Sequence, residues 1–140
     1  MRIFLDANVL FSACLRERSR QYAFFALARA GRCRLVTSAH ASEEARRNLA
    51  RKVPGRLPVL AILLRLVELS PDPPSNLLAW SESLGLPAKD APILAAAVIA
   101  RANLLVAGDR RHFGGLYGQV LDGVRVVSLA DGLAALLSVR

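Results

Sequence analysis

A chain of 140 residues falls in the size range of a single domain and can bury a core without disulfide staples. Its composition, 54% hydrophobic and 21% charged, excludes a disordered chain, and its longest clean apolar run, Ala91 to Ala100, is too short to span a bilayer. The net charge of +8 suits a polyanion such as nucleic acid, but only Lys52 and Lys89 of the 19 cations are lysine, and so arginine-rich a usage also follows from genome composition.

In chain order, Arg2 to Leu5 reads as a short buried strand. Gln21 to Ala30 reads as a helix stopped by Gly31, and Arg34 to Thr37 as a second strand. Ser38 to Arg51 restarts a helix, broken by Pro54, Gly55 and Pro58. Leu60 to Leu69 begins as an apolar helix, and its end, Val67 to Leu69, also fits a short strand. Ser70 to Ser75 is too proline-rich for a helix, and Leu77 to Leu84 is a short helix ended by Gly85. Asp90 to Ala102 is a helix that Asp90 can cap, with Pro92 tolerated in its first turn. Leu104 to Ala107 is a third core strand, Val124 to Val127 a last one, and Leu129 to Leu137 a closing helix. Apolar strands alternating with helices predict an α/β fold, its sheet mainly parallel and covered on both faces. Arg2 to Leu5 runs straight into Asp6, leaving no leader-like apolar stretch, and Cys14 and Cys33 fit buried thiols better than a disulfide or zinc framework. The expected compartment is cytoplasmic, with no membrane partner.

In such folds, sites form beyond the carboxyl ends of the strands. Asp6 follows the first strand, Glu43 and Glu44 open the helix after the second, Asp90 starts a helix, and Asp109 follows the third core strand. Each alone has an ordinary explanation as a cap, a solvated helix start or a turn residue. Together they bring carboxylates to one edge of the sheet in a chain otherwise short of acids. Converging carboxylates repel, and protonation or a bound cation must offset the repulsion. Hard oxygen ligands suit Mg²⁺ or Mn²⁺, which can activate water and neutralise a phosphodiester in its transition state. Arg46, Arg47, Arg51, Arg110 and Arg111 lie nearby in sequence and can bind phosphate or simply form solvated faces.

Four segments carry a family resemblance. Phe4-Leu5-Asp6-Ala7-Asn8-Val9-Leu10, Ser38 with Glu43-Glu44-Ala45-Arg46-Arg47-Asn48-Leu49, Asp90-Ala91-Pro92-Ile93-Leu94-Ala95-Ala96-Ala97, and Leu105-Val106-Ala107-Gly108-Asp109-Arg110-Arg111-His112-Phe113 occur in that order. They resemble PIN-domain nucleases, including the toxins of VapBC-type toxin–antitoxin pairs, over nearly the whole chain. The resemblance implies a three-layer α/β/α domain with a mainly parallel sheet of about four to five strands. It implies a Mg²⁺- or Mn²⁺-dependent endoribonuclease whose metal ligands are Asp6, Glu44, Asp90 and Asp109, supported by Asn8 and Ser38. RNA is then the substrate, met by Arg46, Arg47, Arg110 and Arg111, with a protein antitoxin and a homodimer as expected partners. The apolar stretch Pro58 to Leu69 offers a dimer face or completes the core. One departure stands at His112, where many members carry another acid.

Helix phase separates the adjacent glutamates. Ala41, Ala45 and Leu49 share a buried stripe; Glu44 lies beside it, whereas Glu43 turns towards solvent. Other strand–Asp folds fit less well. A dehalogenase-type phosphatase needs a second Asp where Asn8 stands, a nucleotide-binding module needs a glycine-rich loop, and a receiver domain needs a lysine after its last core strand. A non-catalytic RNA-binding domain, or a processing nuclease outside any toxin–antitoxin pair, remain the alternatives.

Overall fold

The computed structural model describes residues 1–108 and 113–138. Asp109, Arg110, Arg111 and His112 therefore lie outside the described residues. The chain runs through β1 (Arg2–Leu5), α1 (Ala7–Ala13), α2 (Arg20–Arg29), β2 (Arg34–Ser38), α3 (Ala39–Lys52), α4 (Leu57–Leu64), β3 (Val67–Ser70) and α5 (Ser75–Glu82). It continues with α6 (Ala91–Ile99), β4 (Leu104–Val106), β5 (Val120–Leu121), β6 (Val124–Val127) and α7 (Leu129–Ser138).

The strands form one six-stranded sheet of order β3-β2-β1-β4-β6-β5. All pairs are parallel except the β5–β6 hairpin. The path steps from β1 through β2 to β3, then returns to the other side of β1 with β4. Right-handed crossovers put the helices of these two runs on opposite faces. On one face α1 packs on α2 and α3, and α2 on α7; on the other, α5 packs on α6, which lies against β2 and β3. The reversal between β1 and β4 is a topological switch point, where the carboxyl ends of the strands splay into a crevice.

The six strands exceed the expected four to five, for two local reasons. The apolar stretch after Pro58 divides into α4, with Pro58 in its first turn, and the edge strand β3. The extra strand β5 arises from Asp122-Gly123, whose φ angles of 49° and 87° make the two-residue turn that matches strand twist. Helix α1 is a second addition: seven residues are too short to show a periodicity, and Asp6 initiates it by capping. Helix α6 also ends earlier than its apolar run, at Ile99. There Arg101 takes a positive φ of 55°, and the Ala102 N–H reaches back to the Ala97 carbonyl at 3.0 Å. This is the closing geometry usually assigned to glycine, as Gly31 provides after α2.

The core is the sheet's two buried faces. Ile3, Phe4, Leu5, Val36, Leu105, Val106 and Val126 are fully or almost fully buried on it, against Phe24, Phe25, Leu49 and the small residues of α6. Gly132 lets α7 approach closely: a Cβ there would stand 3.0 Å from Val106 and 3.2 Å from Phe24. Cys14 and Cys33 are buried free thiols. No helix among the described residues is long and apolar enough to cross a membrane.

Candidate active site

The parallel strand β1 delivers Asp6 to the carboxyl edge of the sheet, where it serves two ends at once. Its Oδ1 accepts the Val9 N–H at 3.1 Å, capping α1. The rest of the carboxyl group faces a pocket of about 240 Å³. Gly108, just beyond β4, comes close to this corner: a Cβ there would meet Asn8 at 3.5 Å and Val9 at 3.6 Å. Asp6 is only 4% exposed. Burial pushes its carboxyl group up to about 7; the Val9 and Gly108 amides pull the other way, and the charges of Asp90 and Glu44 raise it further.

Those two acids line the same pocket. Asp90 is buried and stands at the start of α6, but its side chain makes no capping bond to that helix, in contrast to the capping role expected from its position. Glu44 comes from the second turn of α3, beside the buried stripe Ala41, Ala45 and Leu49. The described part of the expected acid set, Asp6, Glu44 and Asp90, is thus gathered in one cavity. Asp109 lies outside the described residues.

Glu43 has a different neighbourhood. Arg46 grips it through Nε at 2.8 Å and Nη2 at 2.5 Å, and Arg47 Nε lies at 3.4 Å. These hydrogen bonds, chiefly the one from Arg46, hold the Glu43 carboxyl down at about 2. Arg46 and Arg47 are exposed and do not line the Asp6 pocket. Arg47 instead borders an adjoining hollow of about 270 Å³ with His40, Glu43, Glu44 and Lys89. Ser38 is buried and caps α3 by accepting the Ala41 N–H at 3.0 Å; it is not among the pocket-lining residues, whereas Asn8 is.

The remaining polar walls are Asn48, Arg51, Lys52 and Lys89. Sequence reasoning singled out Arg51 but missed the other three. The signal for two of them was helical spacing, because Asn48 and Lys52 follow Glu44 by four and eight residues and so share its side of α3. Lys89 is the immediate neighbour of Asp90. A larger hollow of about 490 Å³ lies near the amino ends of β2 and β3, but its acid, Glu68, is paired with Arg2 at 2.8 Å.

Among the described residues, no group of three or more His, Cys, Asp and Glu side chains is arranged to hold a metal ion by itself. The donor chemistry nonetheless fits a hard cation. Mg²⁺ is commonly held by one or two carboxylates and keeps several waters, which a polar pocket of this size accommodates. A buried carboxyl group raised to about 7 by its surroundings and two neighbouring acids is also relieved by positive charge. Asp6, Glu44 and Asp90 are the residues that can hold such an ion.

A sequence model of the PIN domain matches residues 2–111. No curated protein matches the sequence. Among solved structures, the chain is similar to PAE2754 from Pyrobaculum aerophilum, with a TM-score of 0.69 and 17% identity over 99% of this chain and 100% of that one. It is also similar to VapBC2 from Rickettsia felis, solved bound to a promoter DNA fragment, with a TM-score of 0.66 and 17% identity over 91% and 98% of the two chains. FitAcB from Neisseria gonorrhoeae gives 0.60 and 21% identity over 91% and 98%. These likenesses are of fold.

Proposed function

The chain belongs to the PIN-domain family, and we propose that it is a divalent-metal-dependent endoribonuclease, the toxin of a toxin–antitoxin pair. One observation carries the reading: the buried Asp6 shares its pocket with Glu44 and Asp90 at the switch point of the sheet. A structural role alone does not account for the cost of that grouping. Asp6 would cap α1 equally well as asparagine. The structural neighbours solved as VapBC2 and FitAB complexes support the toxin assignment and a protein antitoxin as partner.

In this reading Asp6, Glu44 and Asp90, with Asp109 by its sequence position, hold Mg²⁺ or Mn²⁺. The bound cation supplies an activated water and neutralises charge on the phosphodiester. Asp6 is fixed through Val9, so its outer oxygen keeps one direction. Asn8 offers an amide to a bound water or a phosphate oxygen at the pocket rim. Ser38 supports the site by fixing the start of the helix that carries Glu44. Arg46 and Arg47, and by sequence position Arg110 and Arg111, supply guanidinium groups for phosphates flanking the cleaved bond.

The arrangement of acids without a ready-made three-ligand group is the observation that favours the alternative, a non-catalytic RNA-binding domain. Cleavage of single-stranded RNA with and without added Mn²⁺ separates the two. The nuclease reading predicts cleavage that needs the ion, stops in chelator and is lost in Asp6→Asn. RNA binding without cleavage in Mn²⁺ would favour the alternative.

A further inference from the structure

The chain's two lysines stand in one place. All other cations of its 19 are arginines, yet both Lys52 and Lys89 line the pocket of Asp6, Glu44 and Asp90. They reach it from different elements, Lys52 from the last turn of α3 and Lys89 from the turn before α6.

The molecule itself shows what arginine does beside an acid on α3. Arg46 closes a two-pronged grip on Glu43, with Arg47 behind it. A planar guanidinium matches a carboxylate in two parallel hydrogen bonds, whereas an ammonium is a compact point charge on a flexible stem. Of the described cations lining the acidic pocket, only Arg51 is an arginine, and its Nη2 is engaged by the neutral Asn48 amide at 3.2 Å. Lys52 rests with Nζ 5.6 Å from the centre of the Phe11 ring, a contact that keeps a cation close to the pocket without occupying a carboxylate.

We propose that Lys52 and Lys89 are phosphate-positioning residues that must be lysines, because they bring positive charge to the acidic pocket without locking the carboxylates that receive the metal. The inference rests on the nuclease reading above. Arginine at either position would supply the same charge to RNA but would fork onto Asp6, Glu44 or Asp90 and compete with the cation. Methionine would leave the carboxylates open and remove the charge that holds the phosphate.

The test compares Lys52→Arg/Lys89→Arg with Lys52→Met/Lys89→Met. Both lysines are exposed, so the fold should tolerate either pair. Mn²⁺ binding is measured by calorimetry on the protein alone. Binding of a single-stranded RNA oligonucleotide is measured in Ca²⁺ at several salt concentrations, and cleavage is then followed in Mn²⁺. The arginine pair should weaken Mn²⁺ binding by about tenfold or more while keeping RNA affinity and its salt dependence. The methionine pair should keep Mn²⁺ affinity, weaken RNA binding and lower the salt slope by about two. In steady state the arginine pair should recover activity at high Mn²⁺, and the methionine pair should show a raised KM at every Mn²⁺ concentration. Wild-type Mn²⁺ affinity in the arginine pair, or unchanged RNA binding in the methionine pair, would overturn the inference even where wild type cleaves RNA. If wild type bound both ligands but never cleaved, the nuclease reading would fail while the two binding measurements still decided the role of the lysines.

Discussion

Two sides of one helix treat their acids in opposite ways. On the outer side of α3, Glu43 is held by Arg46 and Arg47 and its carboxyl is pulled down to about 2. On the inner side, one residue further, Glu44 joins Asp6 and Asp90 in a pocket where burial and like charge push Asp6 up to about 7. The first arrangement satisfies each charge where it stands. The second keeps carboxylates together at an energetic cost that only a bound cation or a proton offsets. Neighbours in sequence thus differ in function because a helix turns about 100° per residue.

The largest effect should come from Asp6→Asn. Cleavage should fall by at least about a hundredfold, since a change beside a metal ligand already costs 10–100-fold. The metal-free protein should become more stable at pH 8, by about 2–4 kcal/mol, because the substitution removes a buried charge and retains the helix cap. A melt and an activity assay on the same sample check both. A destabilised variant with wild-type rates would reverse the account of the inner side.

The pH dependence of wild type has a defined sign. The carboxyl group of Asp6 binds its proton more tightly in the folded chain, at about 7, than in the unfolded chain, near its model value of 3.8. Its contribution to stability is therefore fully present below about pH 4 and is lost as pH rises through about 7. Metal-free denaturant melts between pH 4 and 8 should show this decline, and Asp6→Asn should flatten it. Saturating Mg²⁺ or Mn²⁺ should restore stability at the alkaline end, with a melting temperature that climbs with the logarithm of the concentration.

The smaller contrast lies between the glutamates. Glu44→Gln should lose most cleavage and weaken Mn²⁺ binding, whereas Glu43→Gln should change both little and leave the melting temperature nearly unaltered, as for an exposed ion pair. Steady-state rates and Mn²⁺ titrations of the two variants, side by side, read the difference. Reversed effects would mean that the inward phase of α3 is off by one residue.

Much of this comparison was legible in the sequence. The Ala41, Ala45 and Leu49 stripe set the phase of α3 and hence the separation of Glu43 from Glu44, and the strand ends placed Asp6 and Asp90 at one edge. What escaped was carried by short or unusual local geometry. Helix α1 has seven residues and depends on a single cap, and β5 depends on one Asp-Gly turn. Arg101 ends α6 in a conformation that its residue type does not announce. Asp90 was legible as a helix start, but its lack of a capping bond is a matter of side-chain geometry that spacing does not contain. Lys52 and Asn48 were legible in principle, at helical spacing from Glu44, yet residue type alone marks them as ordinary solvated positions.

The central claim is that the inner carboxylates form a receptor for a divalent cation, and proton release on binding tests it most directly. At pH 7 the Asp6 carboxyl, at about 7, is close to half protonated in the metal-free protein. Mg²⁺ or Mn²⁺ binding should therefore expel about half a proton per site. Calorimetry in buffers of different ionisation enthalpy reads this number. The account predicts release near one half at pH 7 that falls towards zero by pH 9 and disappears in Asp6→Asn. Binding without proton release at pH 7, or no binding at millimolar metal, would contradict it.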